Sequence, residues 1–214
     1  MSIQTIINSA SGLEFDRRRI ISQSISRSQR IKTAERATAQ PWTFTITPAA
    51  RFNYTANRGT LETIYYADRN IETQVNLANN PGLTWLTAYQ GELDSTQLTS
   101  LAITATNTAS FVVWVGSTVT TGAKIFRAGD FIQPVNSRYP YTVTSDVAKA
   151  AGSTVTVPLH RPVITSEATT LTGSILVGTS VTFRVVVVDL PNYQIVNKDQ
   201  VQFSDDFRVV EKVI

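Results

Sequence analysis

The sequence predicts a mainly β fold of the sandwich or barrel type, with one flanking helix and an extended N-terminal arm. Three observations predict it. Short apolar and β-branched runs recur between glycines from Leu98 onward. Thr, Ser, Asn and Gln replace charge over much of the chain and, with Val and Ile, favour sheet over helix. The stretch from Ile20 to Ile31 alternates like a strand although neither of its faces is apolar.

The arm is expected over residues 1–40. In a strand, Ser22, Ser24, Ser26 and Ser28 point one way, while Ile21, Ile25 and Ile31, with Gln23, Arg27 and Gln29 among them, point the other. Such a strand cannot bury either face in its own core and needs a surface outside its own domain. Pro41 ends the arm, and residues 41–214 read as a single β-sandwich domain. Trp42-Thr43-Phe44-Thr45-Ile46-Thr47 alternates as a half-buried strand closed by Pro48. Between Arg58 and Ala78 the period changes: Leu61, Ile64, Tyr65, Ile71 and Val75 fall near helical spacing, with Thr60 as N-cap. A helix is therefore expected near 60–78, stopped by Asn79-Asn80-Pro81-Gly82. Leu101–Thr106, Phe111–Val115, Lys124–Arg127, Phe131–Pro134, Tyr141–Asp146, Thr154–Leu159, Ile175–Val177, Val181–Asp189 and Arg208–Val213 read as strands. Val181 to Val188 is almost continuously apolar, which predicts a central strand buried on both faces, one that Val186→Asp disables.

Composition narrows the function. Of 214 residues 42% are hydrophobic and only 16% charged, a balance suited to surfaces that meet copies of the same chain or neighbours. The net charge of +3 is uneven. Residues 1–40 hold 7 basic and 3 acidic groups (+4), and the remainder holds 12 and 13 (−1). A basic arm suits nucleic acid or an acidic protein surface, and the mild overall balance favours the second. The chain has no cysteine, which removes disulfides, thiol nucleophiles and Cys-ligated metals. Its start lacks the basic and apolar regions of a secretory signal, and its longest apolar runs are strand-sized.

Reactive constellations do not emerge, and no catalytic, cofactor-binding or metal-ligating residue is assigned. His160, the only histidine, has no His or Cys partner for a metal, and the sequence contains no Gly-x-Ser-x-Gly elbow. Structural hydrogen bonding is its expected role. Asp199, Asp205 and Asp206 lack the ligand spacing of a calcium loop. No phosphate-cradling glycine loop is present. Asn53-Tyr54-Thr55 matches a glycosylation acceptor by chance. Gly129 and Asp130 begin a tight turn whose loop Tyr139 and Tyr141 are expected to pin.

Several segments resemble structural proteins of contractile-tailed phage tails, in particular baseplate and tube-junction components of T4-like cyanophages. They are Ile7-Asn8-Ser9-Ala10-Ser11-Gly12, Phe15-Asp16-Arg17-Arg18-Arg19, the Ile25–Ile31 run and Pro41-Trp42-Thr43-Phe44. Arg127-Ala128-Gly129-Asp130-Phe131-Ile132-Gln133, Tyr139-Pro140-Tyr141 and Leu159-His160-Arg161-Pro162-Val163 are similar to that group as well. The resemblance implies a tail-tube-like β-sandwich with a flanking helix and a joining arm or hairpin. It also implies a non-enzymatic virion protein, assembled in the host cytoplasm into a ring, a hexamer, with other tail and baseplate proteins. DNA would only pass through the lumen, and no membrane partner is expected. Arg17, Arg18, Arg19, Arg27, Arg30 and Arg36 are then the expected intersubunit contacts. A second expectation is a carbohydrate-binding tip or fibre module, stacking sugars on Tyr54, Tyr65, Tyr66, Trp85, Tyr89, Tyr139 and Tyr141.

Overall fold

A computed structural model of the chain describes residues 3–17, 21–25, 31–35, 40–66, 71–165, 171–197 and 199–213. The fold is mainly β, 39% strand and 20% helical, with a curled half-barrel sheet.

The chain opens on a short helix, α1 (Gln4–Ser9), whose Ile6 and Ile7 are buried together with Ile3 just before it. Its carbonyl end is closed from a distance: the Asn80 side-chain amide donates to the Ile7 and Ala10 carbonyls at 2.7 and 3.0 Å. Strand β1 (Gly12–Asp16) follows. Next come β2 (Ile21–Ile25) and β3 (Ile31–Glu35), which pair with each other, and then β4 (Thr43–Thr47), which pairs back onto β1. Residues 3–16 therefore belong to the body, because three isoleucines and a sheet strand depend on it. The arm begins at Arg17 rather than at residue 1.

β5 (Phe52–Asn53) leads into α2 (Tyr54–Tyr66). The helix starts before the expected Thr60, which is buried inside it. Asn53 is the cap, its side-chain oxygen accepting from the Ala56 N–H at 2.7 Å, while Asp199 accepts from the Thr55 N–H at 2.7 Å. The helix also does not run to residue 78. Val75 lies in β6 (Thr73–Val75), an edge strand beside Phe183–Val185, so its apolar spacing served a strand. A 3-10 turn (Leu77–Asn79) and two short helices, α3 (Thr84–Thr87) and α4 (Ser95–Ser100), complete this stretch. α4 is held by a capping box between Asp94 and Gln97.

The remaining strands are β7 (Ala102–Asn107), β8 (Ser110–Trp114), β9 (Lys124–Phe126), β10 (Phe131–Pro134), β11 (Tyr141–Thr142), β12 (Val147–Ala148), β13 (Thr154–Pro158) and β14 (Gly173–Val177), then β15 (Phe183–Asp189), β16 (Tyr193–Asn197), β17 (Gln200–Phe203) and β18 (Phe207–Glu211). One sheet runs in the order β1-β4-β18-β15-β6 and a larger one in the order β11-β10-β14-β7-β8-β13. Smaller groups are β16-β17-β5, β12-β9 and the β2-β3 pair. The first sheet buries Phe44, Ile46, Phe183, Val185, Phe207 and Val209 against α1 and α2, and the second surrounds Ile103, Phe111, Val113, Ile132, Tyr141 and Val157. Each such side chain removed from water contributes about 1.5–3 kcal/mol.

Among the described strands longer than two residues, the one buried at every position is β10, not Val181–Val188. Phe131 enters one cluster and Ile132 the other, so β10 joins the two cores. The buried Gln133 is satisfied, accepting from the Thr182 N–H at 2.9 Å and donating to the Ser137 carbonyl at 3.1 Å. β15 is central in its sheet yet alternates: Phe183 and Val185 are buried, Val186 is half-buried, and Val188 is exposed. Val185→Asp is therefore the disabling substitution, leaving no cooperative melting transition by circular dichroism, whereas Val188→Asp melts within a few degrees of the wild type.

Candidate functional site

The candidate site is the β2–β3 hairpin and the knot of residues that fixes its base. β2 and β3 align antiparallel from Ile21 opposite Glu35 to Ile25 opposite Ile31. Among the described residues neither strand hydrogen-bonds to any other strand. In sequence the hairpin lies between β1 and β4, a pair in which Gly12 faces Thr47 and Asp16 faces Thr43. From Gly12 to Ile21 the chain advances 9 residues, while Glu35 to Thr47 takes 12, so the returning side carries 3 extra residues between the two ladders. In place of the expected single strand from Ile20 to Ile31, Ile21–Ile25 and Ile31–Glu35 are two strands paired with each other.

Both ends of the arm meet at one place. On the outgoing side, the Arg17 guanidinium donates to the Thr142 hydroxyl and stands 5.7 Å over the Trp42 ring. Its partial burial lowers its pKa from the ordinary guanidinium value. On the returning side, Trp42 is fully buried, its indole N–H donating to the Pro140 carbonyl at 3.3 Å and its backbone N–H to Glu211 at 3.1 Å. Phe15, Phe44, Phe131, Phe183 and His160 surround that ring at 4.9–6.3 Å between centroids.

Beneath Trp42 lies a fully buried ion pair. Arg161 holds Glu211 by two bonds, 2.5 Å from Nη1 and 2.8 Å from Nη2, and donates further to the Gln40 carbonyl at 2.6 Å and the Pro140 carbonyl at 2.8 Å. The Tyr141 and Tyr139 rings lie 5.1 and 6.0 Å from its guanidinium carbon. Burial pushes the Glu211 carboxyl up, with the Arg161 bonds and the Trp42 N–H acting the other way. One guanidinium thereby ties together the end of the arm, the last strand and two loops.

His160 sits beside this pair. Its Nδ1 accepts from the Thr142 N–H at 3.0 Å, and its own backbone N–H donates to the Thr142 carbonyl. Burial, reinforced by the charges of Arg161 and Arg17, lowers its pKa to about 3, so the ring is a neutral structural acceptor. Among the described residues no three His, Cys, Asp or Glu side chains gather as a metal site. Asp199 is spent on the α2 cap, and Asp205 accepts from the Asp206 N–H.

Of the expected contact residues, Arg17 is at the anchor, and Arg18, Arg19, Arg27, Arg30 and Arg36 lie outside the described residues. Gly129 takes a φ of +101°, the left-handed turn that glycine favours, and places Asp130 where it accepts from the Arg127 and Gln90 N–H groups, each at 2.8 Å. Tyr139 and Tyr141 are buried, and the Tyr141 hydroxyl accepts from the Ile164 N–H at 2.9 Å. They are therefore unavailable for stacking a sugar. Tyr65 and Tyr89 also commit their hydroxyls, to the Pro191 and Ile125 carbonyls, which leaves Tyr66 and Trp85 as the well-exposed members of that set. Sequence reasoning missed Arg161 and Glu211, whose only signal was charge placed inside otherwise strand-like, apolar surroundings. No protein-family model and no curated protein matches this chain.

Glu211→Leu strands the Arg161 charge and is expected to cost about 3–5 kcal/mol, much of it recovered in an Arg161→Met/Glu211→Leu double variant, as urea unfolding of the cycle will measure. His160 has a folded pKa near 3 against about 6.5 unfolded, so its contribution is full above 6.5 and falls away as pH drops toward 3. His160→Asn keeps an acceptor for the Thr142 N–H. The wild type should lose more melting temperature than this variant between pH 7 and pH 4.

Proposed function

We propose that this chain is a non-enzymatic virion structural protein, a tail-tube initiator, tube-junction or baseplate subunit of a contractile-tailed phage. It assembles into a ring by adding the strands of its hairpin to a neighbour. The observation that carries this reading is the β2–β3 pair: among the described residues, two strands with a backbone edge open on either side, lying in sequence between the anchored strands β1 and β4. A lone two-stranded ribbon is marginal in water, so an element like this is built to be completed by a partner.

A second support is spatial. Phe15-Asp16-Arg17, Pro41-Trp42-Thr43-Phe44, Tyr139-Pro140-Tyr141 and Leu159-His160-Arg161, four segments that resemble phage tail components, all converge on the anchor. The features the resemblance rests on therefore fix the arm to the body. The tail-tube-like sandwich is part of the same proposal, as are the hexameric ring, the other tail and baseplate partners and the passage of DNA through a lumen. Among the described residues no helix is long and apolar enough to cross a membrane. The sugar-binding reading draws little support, because two of its tyrosines are core residues.

Replacing residues 18–39 by a short Gly-Ser turn keeps α1, β1 and the anchor. The expected product folds with an unchanged melting temperature and no longer assembles, while the intact protein forms rings under negative-stain electron microscopy. A deletion variant that still forms rings would refute the proposal.

A further inference from the structure

The hairpin needs an acceptor, and one exposed strand in the body has the complementary character. β16 is the outer strand of the β16-β17-β5 group, and among the described residues its far edge pairs with no other strand. Along Tyr193-Gln194-Ile195-Val196-Asn197 there is no charge and no proline, two of the devices that normally protect an edge. Ile195 and Val196 stand adjacent, 60% and 52% exposed, at a register irregularity in the pairing with β17. Apolar side chains beside an open backbone edge are the features of a surface that something covers.

Charge points to what covers it. β16 is flanked in sequence by Asp189, which pairs with Arg208 at 3.8 Å, on one side and by Asp199, Asp205 and Asp206 on the other, and residues 189–206 hold 4 acidic groups against Lys198 alone, a balance of −3. Asp199 accepts from Thr55 and Asn53, which hold its carboxyl below the ordinary range and fully ionised. β2 is the counterpart. Ile21-Ser22-Gln23-Ser24-Ile25 is also five residues long, also uncharged, and is flanked by Arg17, Arg18 and Arg19 before it and Arg27 and Arg30 after it. Residues 17–36 hold 7 basic groups against Glu35 alone, a balance of +6. A neutral strand between cations thus meets a neutral strand of equal length between carboxylates.

We infer that β16 is the acceptor edge, and that β2 of a second copy of this chain adds to it as a further strand. This rests on the hairpin being the assembly element and names its partner surface. The contact is head-to-tail: each copy offers one donor arm and one acceptor edge, which is the arrangement that closes into rings. Backbone bonds supply the pairing, and the flanking charges select its position along the edge.

Two variants test it. One lacks the donor (residues 18–39 replaced by Gly-Ser) and the other spoils the acceptor (Ile195→Lys/Val196→Lys, which places arm-like charge on the edge). Each alone is expected to run as a monomer in light scattering, the lysine pair near the full-chain 23.5 kDa and the arm-less variant correspondingly lighter. Mixed, the intact arm of the second meets the intact edge of the first and gives a 1:1 dimer that goes no further. That dimer should weaken at least tenfold between 50 and 500 mM salt. If the arm deletion abolishes assembly but the lysine pair still forms rings, β16 is not the acceptor, although the arm remains the assembly element. If both assemble alone, the arm reading itself falls. Should the lysine pair not fold, the cysteine-free background allows a second measurement: Ser24→Cys and Gln194→Cys chains, mixed and oxidised, are expected to give a disulfide-linked dimer that a Ser24→Cys and Thr156→Cys mixture does not. Equal yields from the two mixtures would also overturn the assignment.

Discussion

Arg161 and Glu211 are both removed from solvent, and the bonds around them join the end of the arm to the loop at Pro140 and to the last strand. Placing two charges in a dry interior is costly unless geometry and extra hydrogen bonds offset it. Here the guanidinium makes two bonds to the carboxylate and two to backbone carbonyls, and the carboxylate takes a third donor from Trp42. The partners come from residues 40–42, 140, 161 and 211, so the pair closes four distant stretches of chain at once. Its worth lies less in net stability than in specificity. An apolar pair would fill the space without dictating which carbonyl and which strand end must meet there.

Trp42 is the second half of that arrangement. The ion pair fixes its backbone, and five aromatic or imidazole rings fix its side chain. Because Trp42 precedes β4 directly and Arg17 follows β1, the rigid centre of the body lies at the root of the arm. An arm that joined a neighbour, as proposed above, would need such a root, since on a loosely fixed base it would lose in ordering entropy what its contacts gain.

Much of this was legible in the residues. The alternation of Trp42–Thr47 and the apolar runs at 111–115, 131–134 and 154–158 were strong enough to place strands, and the basic arm was visible as a charge imbalance. Other elements were hidden for identifiable reasons. α2 begins at Tyr54, with Asn53 as its cap, because Asp199, nearly 150 residues later, helps to cap it, and no local pattern carries that. Val75 matched a helical period by coincidence of spacing while serving β6, where tertiary pairing decides. The α4 capping box, Asp94-Ser95-Thr96-Gln97, was readable and went unread. β16 and β17 alternate, Tyr193-Gln194-Ile195 and Gln200-Val201-Gln202-Phe203, but the runs are too short to stand out from a loop. The Arg161–Glu211 pair needs two residues 50 positions apart, which a single sequence does not bring together.

The way the arm joins the body also has a mechanical meaning. Its two sides run into β1 and β4, and β4 is laddered to β18, which is laddered in turn to β15. A pull along the strand axis at Thr43 therefore loads the β4–β18 bonds side by side, in shear, so that they share the force and do not peel one after another. The buried ion pair sits at the point where that load enters the body. This architecture resists tension at the root of the arm, so the root should hold when the arm is pulled.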